Sequence, residues 1–283
     1  MTSRELLRAA ARELAAAGVP DPAYDAGQLL AKVTGMPALE LRAGFAEISA
    51  EQEASFRALM DRRKAREPLQ YLLGDTVFLG RSFHVRPGVL IPRPETEMLA
   101  ESAIRWARER SLRVPHPEVL DLCCGSGCIG ISVQLQCPQI RCTMTDLSPE
   151  ALAVTRENAE RLQAACEILS GDLFEAAAGR TFDLILCNPP YIPGAECDAL
   201  QAEVMREPRM ALDGGADGLD FYRRITEGAA RHLKEGGWLL AEIGFDQGEA
   251  VRSMFVEHQY KETEIRKDLS GLDRVVLGRL GSV

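Results

Sequence analysis

From about residue 92 onward, strand-like apolar runs alternate with helical stretches, and this alternation constrains the fold more than any other feature of the chain. The strand-like runs are Val119–Cys123, Arg141–Thr145, Glu167–Leu169, Phe182–Cys187 and Trp238–Ile243. Helical segments such as Ala151–Leu162 and Phe221–Leu233 separate them. Such alternation implies an α/β fold with parallel strands and helices on both faces. The last two runs, Glu262–Arg266 and Arg274–Leu277, have no helix between them, so a terminal antiparallel pair is expected. In sheets of this kind ligands lie beyond the carboxyl ends of the strands. The distinctive motifs of this sequence fall there.

The first 75 residues read differently, as helices only. Thr2 and Glu5 have capping-box spacing, and Leu7, Ala10 and Leu14 then recur at helical period until Gly18. Asp21-Pro22 reads as an N-cap followed by proline at the first helical position, and Gly35 stops that segment. Ser49 and Gln52 open another helix, which ends in Arg62, Arg63, Lys64 and Arg66. Cations suit the negative end of a helix dipole, so this run is expected to be a solvated helix end rather than a binding patch. Residues 76–91 mix Phe78, Phe83, Val85 and Leu90 with Gly80, Gly88 and Pro87, as a β-hairpin would. The expected organisation is a helical domain over 1–75, a hairpin linker over 76–91 and an α/β domain over 92–283.

Charge and cysteine usage exclude several classes. The chain has 42 acidic and 33 basic residues, a net charge of −9. That is a poor basis for bulk nucleic-acid binding, which needs cations to displace counterions. The first 75 residues carry 10 basic and 11 acidic side chains, so they form no cationic arm. No apolar run approaches the roughly 18 residues of a membrane span, and no apolar signal core follows the start. The eight cysteines lie at 123, 124, 128, 137, 142, 166, 187 and 197 with no pair of CxxC motifs. Reduced thiols in a cytoplasmic protein are expected, with no metal site.

Three strand tips describe a nucleoside site. The first strand leads into Asp121-Leu-Cys123-Cys124-Gly125-Ser126-Gly127 and then an apolar helix. Glycines at such a turn let a ligand approach the backbone, and the helix start attracts negative charge. The second strand ends at Asp146, 19 residues beyond Gly127, where a carboxylate accepts both hydroxyls of a ribose. Asp146 also reads as a helix cap before Ser148-Pro149-Glu150, and the two roles are compatible. The third strand ends Gly171-Asp172-Leu173. Asp172 reads equally as an acceptor from an adenine amino group, with Leu173 against the ring, or as a turn aspartate. Neither GxGxxG nor a P-loop is present, so a diphosphate cradle is excluded.

The fourth strand ends Asn188-Pro189-Pro190-Tyr191. This run suits methyl transfer to a planar NH₂ group, whose nitrogen lone pair is delocalised. The Asn188 side-chain oxygen and the Pro189 carbonyl can accept its two N–H groups, and Pro190 confines Pro189 to extended geometry. Tyr191 offers a flat face. Positioning supplies most of the rate.

Together these motifs resemble the class I S-adenosylmethionine-dependent methyltransferases, with Cys123 where the first glycine of the turn commonly occurs. Cysteine tolerates positive φ poorly. Further blocks are Pro68-Leu-Gln-Tyr-Leu-Leu-Gly74, Leu90-Ile-Pro-Arg-Pro-Glu-Thr-Glu97, Glu207-Pro208, Ala211-Leu212, Asp217-Gly-Leu219, Glu242-Ile-Gly244 and Asp273-Arg-Val-Val276. In this order the set is similar to the release-factor glutamine N5-methyltransferases (the PrmC/HemK group) over essentially the whole chain. The resemblance implies a seven-stranded, mostly parallel sheet with a C-terminal antiparallel strand and a helical N-terminal domain. It implies S-adenosylmethionine as methyl donor and the glutamine of the Gly-Gly-Gln motif in bacterial class I release factors as acceptor. It also implies a monomer with no DNA or membrane partner. The linker would close over the methionine end of the cofactor, bringing Thr96 and Glu95 near the site; helix capping is the equal alternative. Ribosomal-protein glutamine methyltransferases, and more distantly N6-adenine methyltransferases, share the Asn-Pro-Pro-Tyr chemistry. The Pro-Glu-Thr-Glu ending favours release factors.

Overall fold

A computed structural model describes residues 2–44 and 46–281, which divide into two units: Met1–Thr76 with Gln201–Arg206, and Val77–Leu200 with Glu207–Val283. The first unit holds α1 (Ser3–Ala16), α2 (Pro22–Thr34), α3 (Ala38–Ala43), α4 (Ala50–Lys64) and α5 (Leu69–Leu73). Capping boxes open α1 and α4, on Thr2 with Glu5 and Ser49 with Gln52. Asp21 stands at the cap of α2 but its side chain makes no cap bond; Gly35 closes that helix at φ 70°. Short α3 and α5 had no periodicity to announce them. Each follows a proline and ends at a glycine of positive φ, Gly44 and Gly74. Leu6, Leu14, Leu29, Leu30, Leu41 and Phe56 form the core beneath them.

The basic end of α4 is not the solvated terminus expected. Arg63 is 4% exposed; its Nε donates to Asp25 Oδ2 at 2.7 Å and its Nη2 to Glu203 Oε1 at 2.7 Å. Arg66 Nε reaches the same Glu203 oxygen. Arg62 pairs with Glu67, and Lys64 with Asp61 and Glu13. Burial pushes the Glu203 carboxyl up, but Arg66 and Arg63 outweigh it and hold it at about 2. The counter-charge lies 140 residues away in sequence, beyond any local pattern.

Strands β1 (Asp75–Phe78) and β2 (Arg81–His84) pair as a separate sheet, turning at Leu79 and Gly80, both of positive φ. No strand follows over 85–93. A 3₁₀ turn, Pro94–Thr96, leads into α6 (Glu97–Ser111). The larger unit continues β3 (Glu118–Leu122), α7 (Cys128–Gln136), β4 (Arg141–Asp146), α8 (Pro149–Leu162), β5 (Cys166–Ser170) and β6 (Phe182–Cys187). It ends α9 (Asp220–His232), β7 (Leu233–Glu242), α10 (Gly248–Glu257), β8 (Tyr260–Lys267) and β9 (Asp273–Leu280).

Seven strands form one sheet in the order β5-β4-β3-β6-β7-β9-β8, parallel except for β9, which runs antiparallel to both neighbours. Every residue of β6 is buried, as a central strand covered on both faces requires. Leu184 and Leu186 face α6 and α7, while Ile185 and Cys187 face the core that includes Tyr222 and Ile225 of α9. β7 starts at Leu233, earlier than Trp238. Its first residues pair with Phe182, and an irregularity carrying Gly236 at φ 71° precedes the regular ladder. The chain order reverses about β3, where β4 lies on one side and β6 on the other, so the strand tips there open a crevice.

Candidate active site

The turn after β3 is built around left-handed backbone. Cys123, Gly125 and Gly127 have φ of 57°, 56° and 78°. Cys123 therefore adopts the conformation that a side chain resists, at a cost of roughly 1–3 kcal/mol. Neighbours over-determine the turn: Cys124 N donates to Thr145 O at 3.0 Å, and Gly127 N to Cys124 O at 2.7 Å. Gly125 is held from both sides, its N–H donating to Asp146 Oδ2 at 2.8 Å and its carbonyl accepting from Thr155 Oγ1 at 2.7 Å. A Cβ on Gly125 would meet nothing within 4 Å, so the backbone there is open to a ligand. A Cβ on Gly127 would press on Ile131 and Thr155 at 2.9 Å, so that glycine serves packing.

Asp121 lies under the turn, fully buried. Its Oδ2 accepts from Gly130 N at 2.8 Å, and its Oδ1 has no partner among the described residues. Burial pushes its carboxyl up to about 7 against the pull of the Gly130 N–H. Asp146 Oδ1 accepts from Ser148 N at 2.9 Å, and the side-chain cap of α8 is Ser148, not Asp146. Burial raises the Asp146 carboxyl, opposed by the Ser148 and Gly125 N–H groups. Asp172 Oδ2 is held by Arg224 Nη2 at 2.6 Å, leaving its second oxygen available.

Asn188 follows β6 directly, and its Nδ2 donates to Thr96 Oγ1 at 3.3 Å. Thr96 is 2% exposed and makes no side-chain cap bond at the start of α6; Glu95 is exposed. Pro189 and Pro190 are buried. The Tyr191 ring packs against the core shared with α9, and burial pushes its phenol up to about 12. Gln247 ties this turn to the tip of β7: its Oε1 accepts from Gly244 N at 2.9 Å, and its Nε2 donates to Tyr191 O at 2.9 Å and Gly218 O at 3.3 Å. Gly214 passes so close that a Cβ would sit 2.8 Å from Pro190 O. The buried Glu207 accepts from Ile91 N at 2.9 Å and pairs with Arg93, joining two segments that border the crevice.

The crevice encloses about 950 Å³ of space, open solvent at its mouth included. Thr96, Cys123, Cys124, Gly125, Ser126, Asp146, Asp172, Leu173, Asn188 and Pro190 line it. Asp121, Gly127, Pro189 and Tyr191 are not in its wall. Sequence reasoning had not singled out Leu147, Met210 or Phe221, which do line it. They are apolar and carry no chemical signature. Among the described residues, no group of three or more His, Cys, Asp and Glu side chains is placed to hold a metal, and no helix is long and apolar enough to cross a membrane.

Solved structures share the fold. A methyltransferase from Pyrococcus furiosus superposes with a TM-score of 0.53 at 16% identity, over 73% of this chain and 92% of that one. The T. thermophilus 16S rRNA N2 G1207 methyltransferase gives 0.54 at 19% identity, over 73% and 49%. Residues 110–217 match the methyltransferase small domain, and residues 5–74 match the PrmC N-terminal domain. The fold is that of a methyltransferase. The release factor glutamine methyltransferase of Geobacter sulfurreducens is 43% identical over 99% of this chain and 97% of its own. That of Cereibacter sphaeroides is 42% identical over 99% of both. The chain belongs to the release factor glutamine methyltransferase family.

Proposed function

We propose that this enzyme transfers a methyl group from S-adenosylmethionine to the side-chain amide nitrogen (N5) of the glutamine in the Gly-Gly-Gln motif of bacterial class I release factors. The observation that carries the reading is Asn188 at the tip of β6, its amide nitrogen engaged by Thr96 and its carbonyl oxygen left to accept. The crevice fits the cofactor. Gly125 presents backbone with no crowding atom, a raised but hydrogen-bonded carboxylate stands at Asp146, and Asp172 keeps one oxygen to accept from an amino group. Asp146 would hold the ribose, Asp172 and Leu173 the adenine. S-adenosylmethionine supplies, when bound, a methyl carbon on a positively charged sulfur.

The chain's own residues orient the acceptor. Asn188 Oδ1 and the Pro189 carbonyl accept the two amide N–H groups, directing the nitrogen toward the methyl donor and raising its electron density. Neither takes the proton, which becomes acidic once nitrogen has bonded to carbon and leaves to water. The flat face expected of Tyr191 is outside the crevice wall, so the planar group is left to Asn188 and Pro189, and Tyr191 closes the turn. Rate comes from position. Residues 1–75 act as the substrate-recognition domain, 76–91 as linker and 92–283 as the catalytic domain. Recognition is not assigned to Arg62–Arg66, whose charges are matched by carboxylates of their own unit. The enzyme acts as a monomer in the cytoplasm.

The test is methylation with labelled cofactor followed by mass mapping. Intact release factor should be methylated at the glutamine, a short Gly-Gly-Gln peptide weakly, ribosomal protein and DNA not at all. A protein interface buries about 1,600 Å² in total, far more than a small amide offers. Methylation of adenine in DNA with release factor untouched would overturn the assignment.

A further inference from the structure

Glu242 is the last residue of β7. Register places it beside Asn188: Cys187 pairs with Ala241, and the next residue on each parallel strand is Asn188 and Glu242. Its side chain is 1% exposed, and its Oε2 has no hydrogen-bond partner among the described residues. Its backbone is fixed, the carbonyl accepting from Tyr222 Oη at 2.8 Å. A buried carboxyl with an unmatched oxygen is costly, so it calls for a reason.

We infer that Glu242, as a carboxylate, is a positioning residue that sets which way the Asn188 amide faces. The argument is one of hydrogen-bond polarity. A carboxylate only accepts. Beside it, the Thr96 hydroxyl turns its hydrogen toward Glu242, and Thr96 Oγ1 is left to accept from Asn188 Nδ2, as observed at 3.3 Å. The Thr96 and Asn188 side chains both pull the Glu242 carboxyl down, as donors turned toward it would. Asn188 Oδ1 is thereby directed away from Glu242. Protonation reverses the chain: Glu242 donates to Thr96, Thr96 can donate to Asn188 Oδ1, and the flipped amide presents N–H groups to a substrate that also carries only N–H groups there.

The surroundings place this switch near neutrality. Burial pushes Glu242 up to about 7; the Thr96 hydroxyl, Arg274 and the Asn188 amide pull it down, and Glu95 pushes it up. The other titratable groups sensing its charge are Tyr191, Tyr222, Cys128 and Cys187. The inference rests on the proposed role of Asn188, and the experiment separates the two.

Single-turnover rates at saturating cofactor would be measured from pH 5.5 to 9 for the wild type, Glu242→Gln, Thr96→Ser, Thr96→Val and Asn188→Ala. The wild-type rate should fall on the acid side of about 7. Glu242→Gln should be roughly 10- to 100-fold slower, the scale of a misplaced reacting group, and lack that acid limb. Thr96→Ser should keep the limb and Thr96→Val lose it. The side-chain amide resonances of Asn188 should titrate with the same midpoint in the wild type and not in Glu242→Gln, with cofactor affinity by calorimetry within about twofold. Asp121 is also raised to about 7; an acid limb that survives in Glu242→Gln would point there and overturn the inference. A Glu242→Gln enzyme with wild-type rate and slow Asn188→Ala would overturn the inference alone. Normal turnover by Asn188→Ala would instead remove the reading on which it rests.

Discussion

Asp146 is the residue whose removal most directly tests the cofactor site. Its two oxygens each accept a backbone N–H, from Gly125 at 2.8 Å and from Ser148 at 2.9 Å. These bonds order the turn that borders the crevice and the start of α8 whether or not cofactor is present. Their loss in Asp146→Ala therefore appears mainly as stability. The affinity change isolates what the carboxylate does for the ribose hydroxyls. Hydrogen bonds to a charged group are worth about 1.5–3 kcal/mol, which is roughly a 10- to 150-fold rise in Kd. Asp146→Asn is a sharper probe. It keeps one acceptor, but its NH₂ must face one of two backbone N–H donors, so it should bind cofactor no better than the alanine variant. Calorimetric titration with S-adenosylmethionine gives the Kd, and thermal unfolding without cofactor gives the stability component. Unchanged affinity in either variant would remove Asp146 from the ribose site and leave it a turn-ordering residue.

Asn188→Ala should lower single-turnover rates by roughly 10²–10³, the scale of one lost preorganised partner, while cofactor affinity changes far less; a near-normal rate sinks the mechanism. Gly218→Ala puts a methyl against Tyr191 O and 2.7 Å from Gln247 Nε2 at φ 75°. It should cost at least about 1–3 kcal/mol in urea unfolding, and an unchanged midpoint would show that the approach is not tight. Arg63→Met leaves Asp25 without its cation and Glu203 with Arg66 alone, so the helical unit should lose about 3–5 kcal/mol by hydrogen exchange. Asp25→Asn in the same chain should restore part of this, and full additivity of the two changes would refute the coupling. Asp121 has its carboxyl raised from 3.8 to about 7 by burial. Its contribution to stability is fully present below the ordinary carboxyl range and is lost as pH rises through 7. Asp121→Asn should therefore flatten the unfolding free energy between pH 4 and 7, and an unaltered slope would contradict the raised value.

The architecture was legible because its signals are local and periodic. An all-apolar β6, the capping boxes at Thr2 and Ser49, and strand tips ending in Asp146 and Asn188 each announce themselves within a few residues. Failures occurred where structure depends on remote partners. The Arg63 cluster looked solvated because Asp25 and Glu203 lie 38 and 140 residues away. The early start of β7 needs Phe182 across the sheet to define it. Positive φ at Cys123 defies the residue's own preference, and the backbone bonds that the next residue, Cys124, donates to Thr145 O and accepts from Gly127 N hold the turn in that shape.

The same division runs through the site. Residues that bear chemistry stood out in sequence because their type is improbable at a strand tip. Residues that aim them did not, since their work lies in a hydrogen bond to a distant segment. Thr96 and Glu95 could not be separated in sequence; burial separates them, with Thr96 at 2% exposure and Glu95 exposed. Gln247 and Glu207 read as ordinary polar residues until Tyr191 O and Ile91 N are found on them. Glu242 did leave a trace: a lone carboxylate closing the apolar run Trp238–Ala241. A charged residue at the buried end of a central strand requires partners, and the nearest strand tip is that of Asn188. The position of an unmatched carboxyl at the end of an apolar strand can therefore point to a polar group on the neighbouring strand tip even before that group's orientation is known.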